Sequence, residues 1–192
     1  IAGPGFMKIN TTFRKTYRRA LAIYISLTAI QYALLRISGL NKSDSLITSL
    51  SNISTAGLMN LNNGNIVGYG LSVKIIISIF AFLSSLNFSI LLLATMKKFR
   101  ELTEGPELKF HAGRILTTTI FITGILYITY NRTLSSLKEF GNVLMQVISY
   151  FTTAGYQISD TNGWPGAACA IILIQMFIGA CAISSGGGIK AA

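Results

Sequence analysis

The sequence has 192 residues, of which 51% are hydrophobic and only 11% charged, against roughly 25% charged in a soluble domain. An ordinary soluble domain and a disordered chain both fail to fit, because neither keeps half its residues apolar with so few charges. What remains is a membrane protein, and the formal charge of +10 has to be judged by where Lys and Arg sit.

They sit in two groups. Lys8, Arg14, Lys15, Arg18 and Arg19 precede the first apolar run, and Lys97, Lys98, Arg100, Lys109 and Arg114 lie between the central runs. Both groups flank long apolar stretches, which is the positive-inside pattern, so both are expected on the cytoplasmic side facing anionic headgroups. A nucleic-acid footprint would need a basic face interleaved with exposed aromatics on a soluble fold, so no nucleic-acid partner is expected. The chain starts at Ile1 without a signal-peptide pattern and is expected to be an internal fragment.

In chain order, Ala20 to Ile37 is the first run long enough to span a bilayer, with Arg36 near its end to snorkel. Gly70 to Met96, about Ile115 to Tyr130, and Pro165 to Ile183 are the next three. Between the first and second, Ser43 and Asp44 suit a helix N-cap, and Leu46, Ile47, Leu50 and Ile53 give helical periodicity. Between the third and fourth, Phe140, Val143, Leu144, Val147 and Ile148 repeat that pattern after Lys138 and Glu139. Helices of about three turns are too short to cross, and read as re-entrant. The expected fold class is therefore all-α: a polytopic membrane protein with four spanning and two re-entrant helices.

Each short helix runs into nearly the same peptide, Ser54-Thr55-Ala56-Gly57-Leu58 and Thr152-Thr153-Ala154-Gly155-Tyr156, 98 positions apart. Such a period implies two parallel copies of one helix, short helix, helix unit, at 1–98 and 99–192. Either peptide alone reads better as a bland turn, but recurrence in the same context points to a shared task. A helix C-terminus aimed inward favours a cation, and the residues after it can offer carbonyls, with glycine at 57 and 155 keeping side chains out of the way. Hydroxyls of Ser54, Thr55, Thr152 and Thr153 add oxygens. The candidate ion-binding residues are therefore Ser54, Thr55, Ala56, Gly57, Thr152, Thr153, Ala154 and Gly155, with a potassium ion as substrate at Thr55, Gly57, Thr153 and Gly155.

A glycine cluster ends the last run. Ser184, Ser185, Gly186, Gly187 and Gly188 should interrupt the helix, either as an ordinary glycine cap or as a flexible gate under the filter. It lacks the spacing of a phosphate loop. Cys169 and Cys181 would be about 18 Å apart on one helix and cannot pair, so they read as small packing residues. His111, the one histidine, sits in the charged linker without a Cys or His neighbour, so no metal centre or other cofactor is expected. Nor is an intramembrane hydrolase, which would need a nucleophile and a base at depth. Asn87 reads as an interhelical hydrogen-bonding residue or a lining one, Lys74 as a snorkelling residue or one repelling cations at a pore mouth. Thr117, Thr118, Thr119 and Thr123 are expected to bond their own helix, and Tyr17, Tyr24, Tyr69, Tyr127 and Tyr130 to anchor at interfaces.

On the paired peptides, on Trp164-Pro165 opening the last run, and on Gly179 to Lys190, the chain resembles the Trk/Ktr/HKT superfamily of potassium transporters. The family's loop reads Gly-Gly-Cys-Ala-Gly-Ser-Thr-Gly-Gly-Gly before an apolar residue and Lys; Ala180, Ile183 and Ser185 depart from it. The resemblance implies a pore of four such repeats, of which this chain matches the second and third, so the remaining repeats are implied partners and the chain alone would not conduct. It further implies a homodimer in the cell membrane, surrounded by lipid, on a cytoplasmic nucleotide-binding regulatory subunit. Glycine in both peptides goes with potassium preference in that family. The alternatives are a non-conducting membrane scaffold, and a sodium-permeable or alternating-access carrier; parallel repeats disfavour the last.

Overall fold

A computed structural model describes residues 13–58, 65–86, 106–130, 137–178 and 187. Among these residues the structure is all-α, with helices α1 (Phe13–Ile37), α2 (Lys42–Ser54), α3 (Leu71–Ser85), α4 (Pro106–Thr129), α5 (Leu137–Phe151) and α6 (Gly166–Ile178). Residues Arg18–Ile37 and Leu108–Thr129 are long and apolar enough to cross a membrane, and α3 and α6 are shorter apolar helices. The remainder of the predicted second run and its Asn87, the inner basic residues Lys97, Lys98 and Arg100, and Cys181 lie outside the described residues.

Apolar side chains face outward along these helices. Ile25 and Ile30 on α1, Ile120 and Phe121 on α4, and Ile174 and Phe177 on α6 are each more than half exposed. Water would penalise such a surface, whereas hydrocarbon solvates it. Polar groups go inward instead. On α2 the buried residues include Ser45, Thr48, Ser49, Ser51 and Asn52, while Leu46, Ile47 and Leu50, which supplied its predicted apolar periodicity, are exposed and only Ile53 is buried. The spacing gives the helix correctly, but the inward face is the polar one: in apolar surroundings the polar stripe is the one that seeks protein partners.

The termini differ from expectation in three places. Asn41, not Ser43 or Asp44, is the N-cap of α2, with extended backbone at φ −63 and ψ 158. Lys138 and Glu139 fall inside the first turn of α5. Helix α4 begins nine residues before the predicted Ile115, so Lys109, His111 and Arg114 belong to a helix and not to a linker. Their spacing shows why: His111, Ile115, Thr118 and Ile122 recur at helical intervals, and all four are buried.

Two clusters hold the helices together. One gathers Leu35 of α1 and Leu40 just after it, Val73, Ile77 and Ala81 of α3, and, from far along the chain, Ala154, Tyr156 and Ile158. The other gathers Ile115, Ile122 and Leu126 of α4, Val143, Val147 and Phe151 of α5, and Ala168 and Ile172 of α6. The peptide after α5 thus packs into the core of the first half, and the two halves interlock. An isolated parallel bridge between Asn65 and Gln157, with Ile66 N–H donating to the Gln157 carbonyl at 2.9 Å, lays the two segments that follow the short helices side by side.

Several side chains close helix ends or seams. The Arg36 guanidinium donates to the Leu40 carbonyl, the Tyr130 hydroxyl to the Gly163 carbonyl, and Lys74 Nζ to the Val67 carbonyl at 2.8 Å. Thr117 and Thr119 bond back to Gly113 and Ile115 in their own helix, as expected, whereas Thr123 Oγ1 is buried with no such bond. Cys169, read as a packing residue, is exposed.

Asn52 is the polar pin between α2 and α3: its amide donates to the Ile77 carbonyl at 3.0 Å, and its own carbonyl accepts from Ser84 Oγ at 3.3 Å. Replacing Asn52 with Ala is expected to lower stability by about 1–2 kcal/mol, the worth of a buried bond offset by better helix propensity. Thr117→Ala, which removes an exposed self-bonding hydroxyl, should stay within about 0.5 kcal/mol. Thermal unfolding of the detergent-solubilised protein checks both.

Candidate functional site

The candidate residues begin where the two short helices stop. After Ser54, Thr55 takes a left-handed conformation at φ 49 and ψ 34; after Phe151 and Thr152, Thr153 does the same at φ 58. In the first copy Thr55 N–H donates to the Asn52 carbonyl at 3.2 Å and Ala56 N–H to the Ser51 carbonyl at 3.0 Å. In the second, Thr153 N–H donates to Tyr150 at 3.1 Å and Ala154 N–H to Ser149 at 3.0 Å. These paired bonds satisfy the last carbonyls of each helix without water.

Glycine ordinarily fills a left-handed cap, and α1 shows the ordinary solution, with Gly39 at φ 94 and the same pair of bonds, Gly39 N–H to the Arg36 carbonyl at 3.1 Å and Leu40 N–H to the Leu35 carbonyl at 3.2 Å. A β-branched residue there costs about 1–2 kcal/mol. The same strained conformation thus recurs at two positions 98 residues apart. Two residues further on, Gly57 and Gly155 are again left-handed, at φ 68 and 75, while the intervening alanines are not.

The side chains add to this backbone. Ser54 Oγ donates to the Leu50 carbonyl at 2.7 Å and Thr55 Oγ1 to the Ser54 carbonyl at 2.7 Å. Thr152 Oγ1 donates to the Ser149 carbonyl at 3.3 Å. A hydroxyl that gives its proton to a helix carbonyl keeps lone pairs for a cation. Thr153 Oγ1 accepts from Gly187 N–H at 2.9 Å. Of the predicted gate residues, Gly187 alone is described; Ser184, Ser185, Gly186 and Gly188 lie outside the described residues. Ala56, Gly57 and Gly155 are exposed, Thr152 and Ala154 buried, and Ser54, Thr55 and Thr153 intermediate. A Cβ on Gly57 would meet open space, so only its backbone conformation demands glycine.

Behind the second peptide stands a group of residues that sequence reasoning missed. Gln146, fully buried on α5, accepts at Oε1 from Ile158 N–H at 2.7 Å and Ser159 N–H at 2.8 Å, and donates from Nε2 to the Tyr156 carbonyl at 3.2 Å. Ser149 Oγ donates to that same carbonyl at 2.7 Å. The Tyr156 hydroxyl crosses to the first half and donates to the Thr48 carbonyl at 3.3 Å.

Phe151, the last residue of α5, is held from the other side. The Arg114 guanidinium lies 4.5 Å over its ring and donates to Gln175 Oε1 of α6 at 3.0 Å. His111 meets Phe151 edge-on at 5.6 Å, stacks on Phe82 at 5.8 Å, and pairs through Nε2 with Ser85 Oγ at 3.0 Å. These two residues, assigned from sequence to a charged linker, instead tie α3, α4 and α6 to the end of a short helix. Among the described residues no three His, Cys, Asp or Glu side chains converge on a metal site; the oxygen-rich places are the backbone turns after α2 and α5.

No family model matches the chain. It is 27% identical over 193 residues to the Trk system potassium uptake protein TrkH of Halomonas elongata, covering 95% of this chain and 38% of that protein. It is 28% identical over 186 residues to TrkH of Salmonella typhimurium, with the same coverage of each. The chain thus spans well under half the length of the curated relatives it matches. Its fold superposes on the crystal structure of the potassium transporter TrkH from Vibrio parahaemolyticus with a TM-score of 0.83 at 24% identity, covering 94% of this chain and 40% of that one. The resemblance first carried by the paired peptides, Trp164-Pro165 and Gly179 to Lys190 therefore extends along nearly the whole sequence, and the fold is that of the TrkH membrane transporter structure.

Proposed function

We propose that this chain supplies part of the pore of a potassium uptake transporter, and that the carbonyls of Thr55, Ala56, Gly57, Thr153, Ala154 and Gly155 coordinate the ion. The observation that carries the reading is the repeated pair of left-handed residues, Thr then Gly, at the C-terminal ends of α2 and α5. A cation leaving water needs several oxygens at once, and neutral carbonyls supply them without trapping the ion as a carboxylate would. The negative ends of both helix dipoles add to the attraction. Ser54 and Thr152 contribute hydroxyl oxygens at the inner margin.

In this reading the units 1–98 and 99–192 are two parallel repeats, and the pore is closed by further repeats of the same kind. The segment Ser184 to Gly188 is the gate beneath the filter, and the Gly187 to Thr153 bond is one contact by which it rests there. The chain is a multi-pass component of the cell membrane, acting as a transporter and not an enzyme. A homodimer on a cytoplasmic nucleotide-binding subunit is the assembly that the resemblance implies. The reading as a sodium-permeable pore is less favoured, since both peptides carry glycine where a Cβ would be strained.

Gly57→Ser and Gly155→Ser, made in the complete pore and measured by cation uptake in potassium-uptake-deficient cells, are each expected to reduce potassium over sodium discrimination by about tenfold, one hydrogen bond's worth of ligand geometry. Gly68→Ser is the control: it has the same open surroundings without the positive φ, and should leave discrimination unchanged. Unaltered discrimination in both filter variants, at normal membrane abundance, would sink the assignment.

A further inference from the structure

The two candidate peptides have the same pair of positive φ angles, but among the described residues their neighbours differ. The position in α2 equivalent to Gln146, 98 residues earlier, is Thr48. Threonine ends one bond past Cβ and cannot reach both arms of a returning loop; at Thr48 it is the main-chain carbonyl that is used, by the Tyr156 hydroxyl. Gln146 has the length and both kinds of hydrogen-bonding atom. Its oxygen gathers Ile158 and Ser159 N–H while its nitrogen holds the Tyr156 carbonyl, so one amide fixes three consecutive peptide groups directly downstream of Gly155.

The exposures follow this difference. Tyr156 is 1% exposed, whereas Leu58, its counterpart, is 68% exposed. The Tyr156 carbonyl is also taken by Ser149 Oγ, so with two donors it is directed away from any ion and serves as an anchor. A peptide anchored immediately after its last candidate ligand cannot widen or narrow by sliding. Buried amides with every group satisfied are stiff, because each alternative position leaves a polar atom unpaired in a medium that penalises it heavily.

We infer that Gln146 is a positioning residue for ion selection: it holds the Thr153 to Gly155 carbonyls at a fixed spacing through the anchored segment that follows them. This rests on the filter reading given above. Gln146 touches no ion in this account and acts through Tyr156, Ile158 and Ser159.

The test uses the complete pore in potassium-uptake-deficient cells. Gln146→Met keeps length and volume and removes all its hydrogen bonds; it is expected to lower potassium over sodium discrimination by about tenfold and to raise the KM for potassium while maximal uptake per transporter changes little, since a buried bond of this kind is worth about tenfold in an equilibrium. Gln146→Glu is the rescue variant. Its buried carboxyl favours the neutral form, which accepts at one oxygen and donates from the other as the amide does, so discrimination should return to within about threefold of the unaltered protein. Thr48→Val should leave discrimination unchanged. If Gln146→Met discriminates normally, or Thr48→Val matters as much, the inference is overturned. Where Gln146→Met protein fails to reach the membrane, Ser149→Ala, which loses only the second bond to the Tyr156 carbonyl, is judged by the same criterion. Gly155→Ser run in parallel separates the two claims: a shift there with none in the Gln146 variants removes the positioning role and keeps the filter, while no shift in either removes the filter itself.

Discussion

A helix that stops inside an apolar layer must close its own end, because the last carbonyls have no water to turn to. Everything else in this structure is arranged around that constraint at Ser54 and Phe151. The closure uses a left-handed threonine and two backbone bonds, which leaves the following peptide departing at a fixed angle with its next carbonyls unused by the helix. Once the angle is fixed, the segments beyond must run alongside one another, and the bridge between Asn65 and Gln157 is where they do so.

The interlock between halves follows from the same geometry. Because the second peptide is inserted among Leu35, Val73, Ile77 and Ala81, the stability of the first half depends on a segment more than seventy residues away in sequence. Tyr156 carries this dependence in both currencies, with its ring in the apolar cluster and its hydroxyl on the Thr48 carbonyl. From the opposite side Arg114 and His111 grip Phe151 and reach α6 and α3. The end of α5 is thereby tied to α3, α4 and α6, and a shift of α6 at Gln175 would reach it through Arg114.

The helices and the paired peptides were legible in the sequence because each leaves a local trace: a run of apolar residues, or Thr-Ala-Gly twice at one period. The inward face of α2 was not, because Leu46, Ile47 and Leu50 have the same spacing whether protein or lipid covers them, and the usual reading assumes water outside. Gln146 was invisible for a related reason. A glutamine in an apolar helix has no motif around it, and its partners at 156, 158 and 159 become neighbours only when the chain turns back. His111 was misplaced by its charged neighbours, although its register with Ile115, Thr118 and Ile122 was present to be read. Arg114 shows the limit of counting basic residues toward a membrane face, since one that stacks on a buried ring and bonds to Gln175 serves packing as much as orientation.

The choice of threonine at the two caps weighs stability against geometry. Glycine at 55 and 153 would remove about 1–2 kcal/mol of backbone strain each but would also remove a stiff side chain whose branching restricts its rotamers. At Thr153 that stiffness presents Oγ1 to Gly187 N–H, and at Thr55 it returns Oγ1 to the Ser54 carbonyl. Glycine appears only two residues later, where the backbone again needs positive φ and where, at Gly57, a side chain would stand in open space. Strain is thus accepted where a hydroxyl is useful and relieved two residues on, and the same order holds in both copies despite their different surroundings. A fold under selection for stability alone would place glycine at all four positions, as α1 does at Gly39.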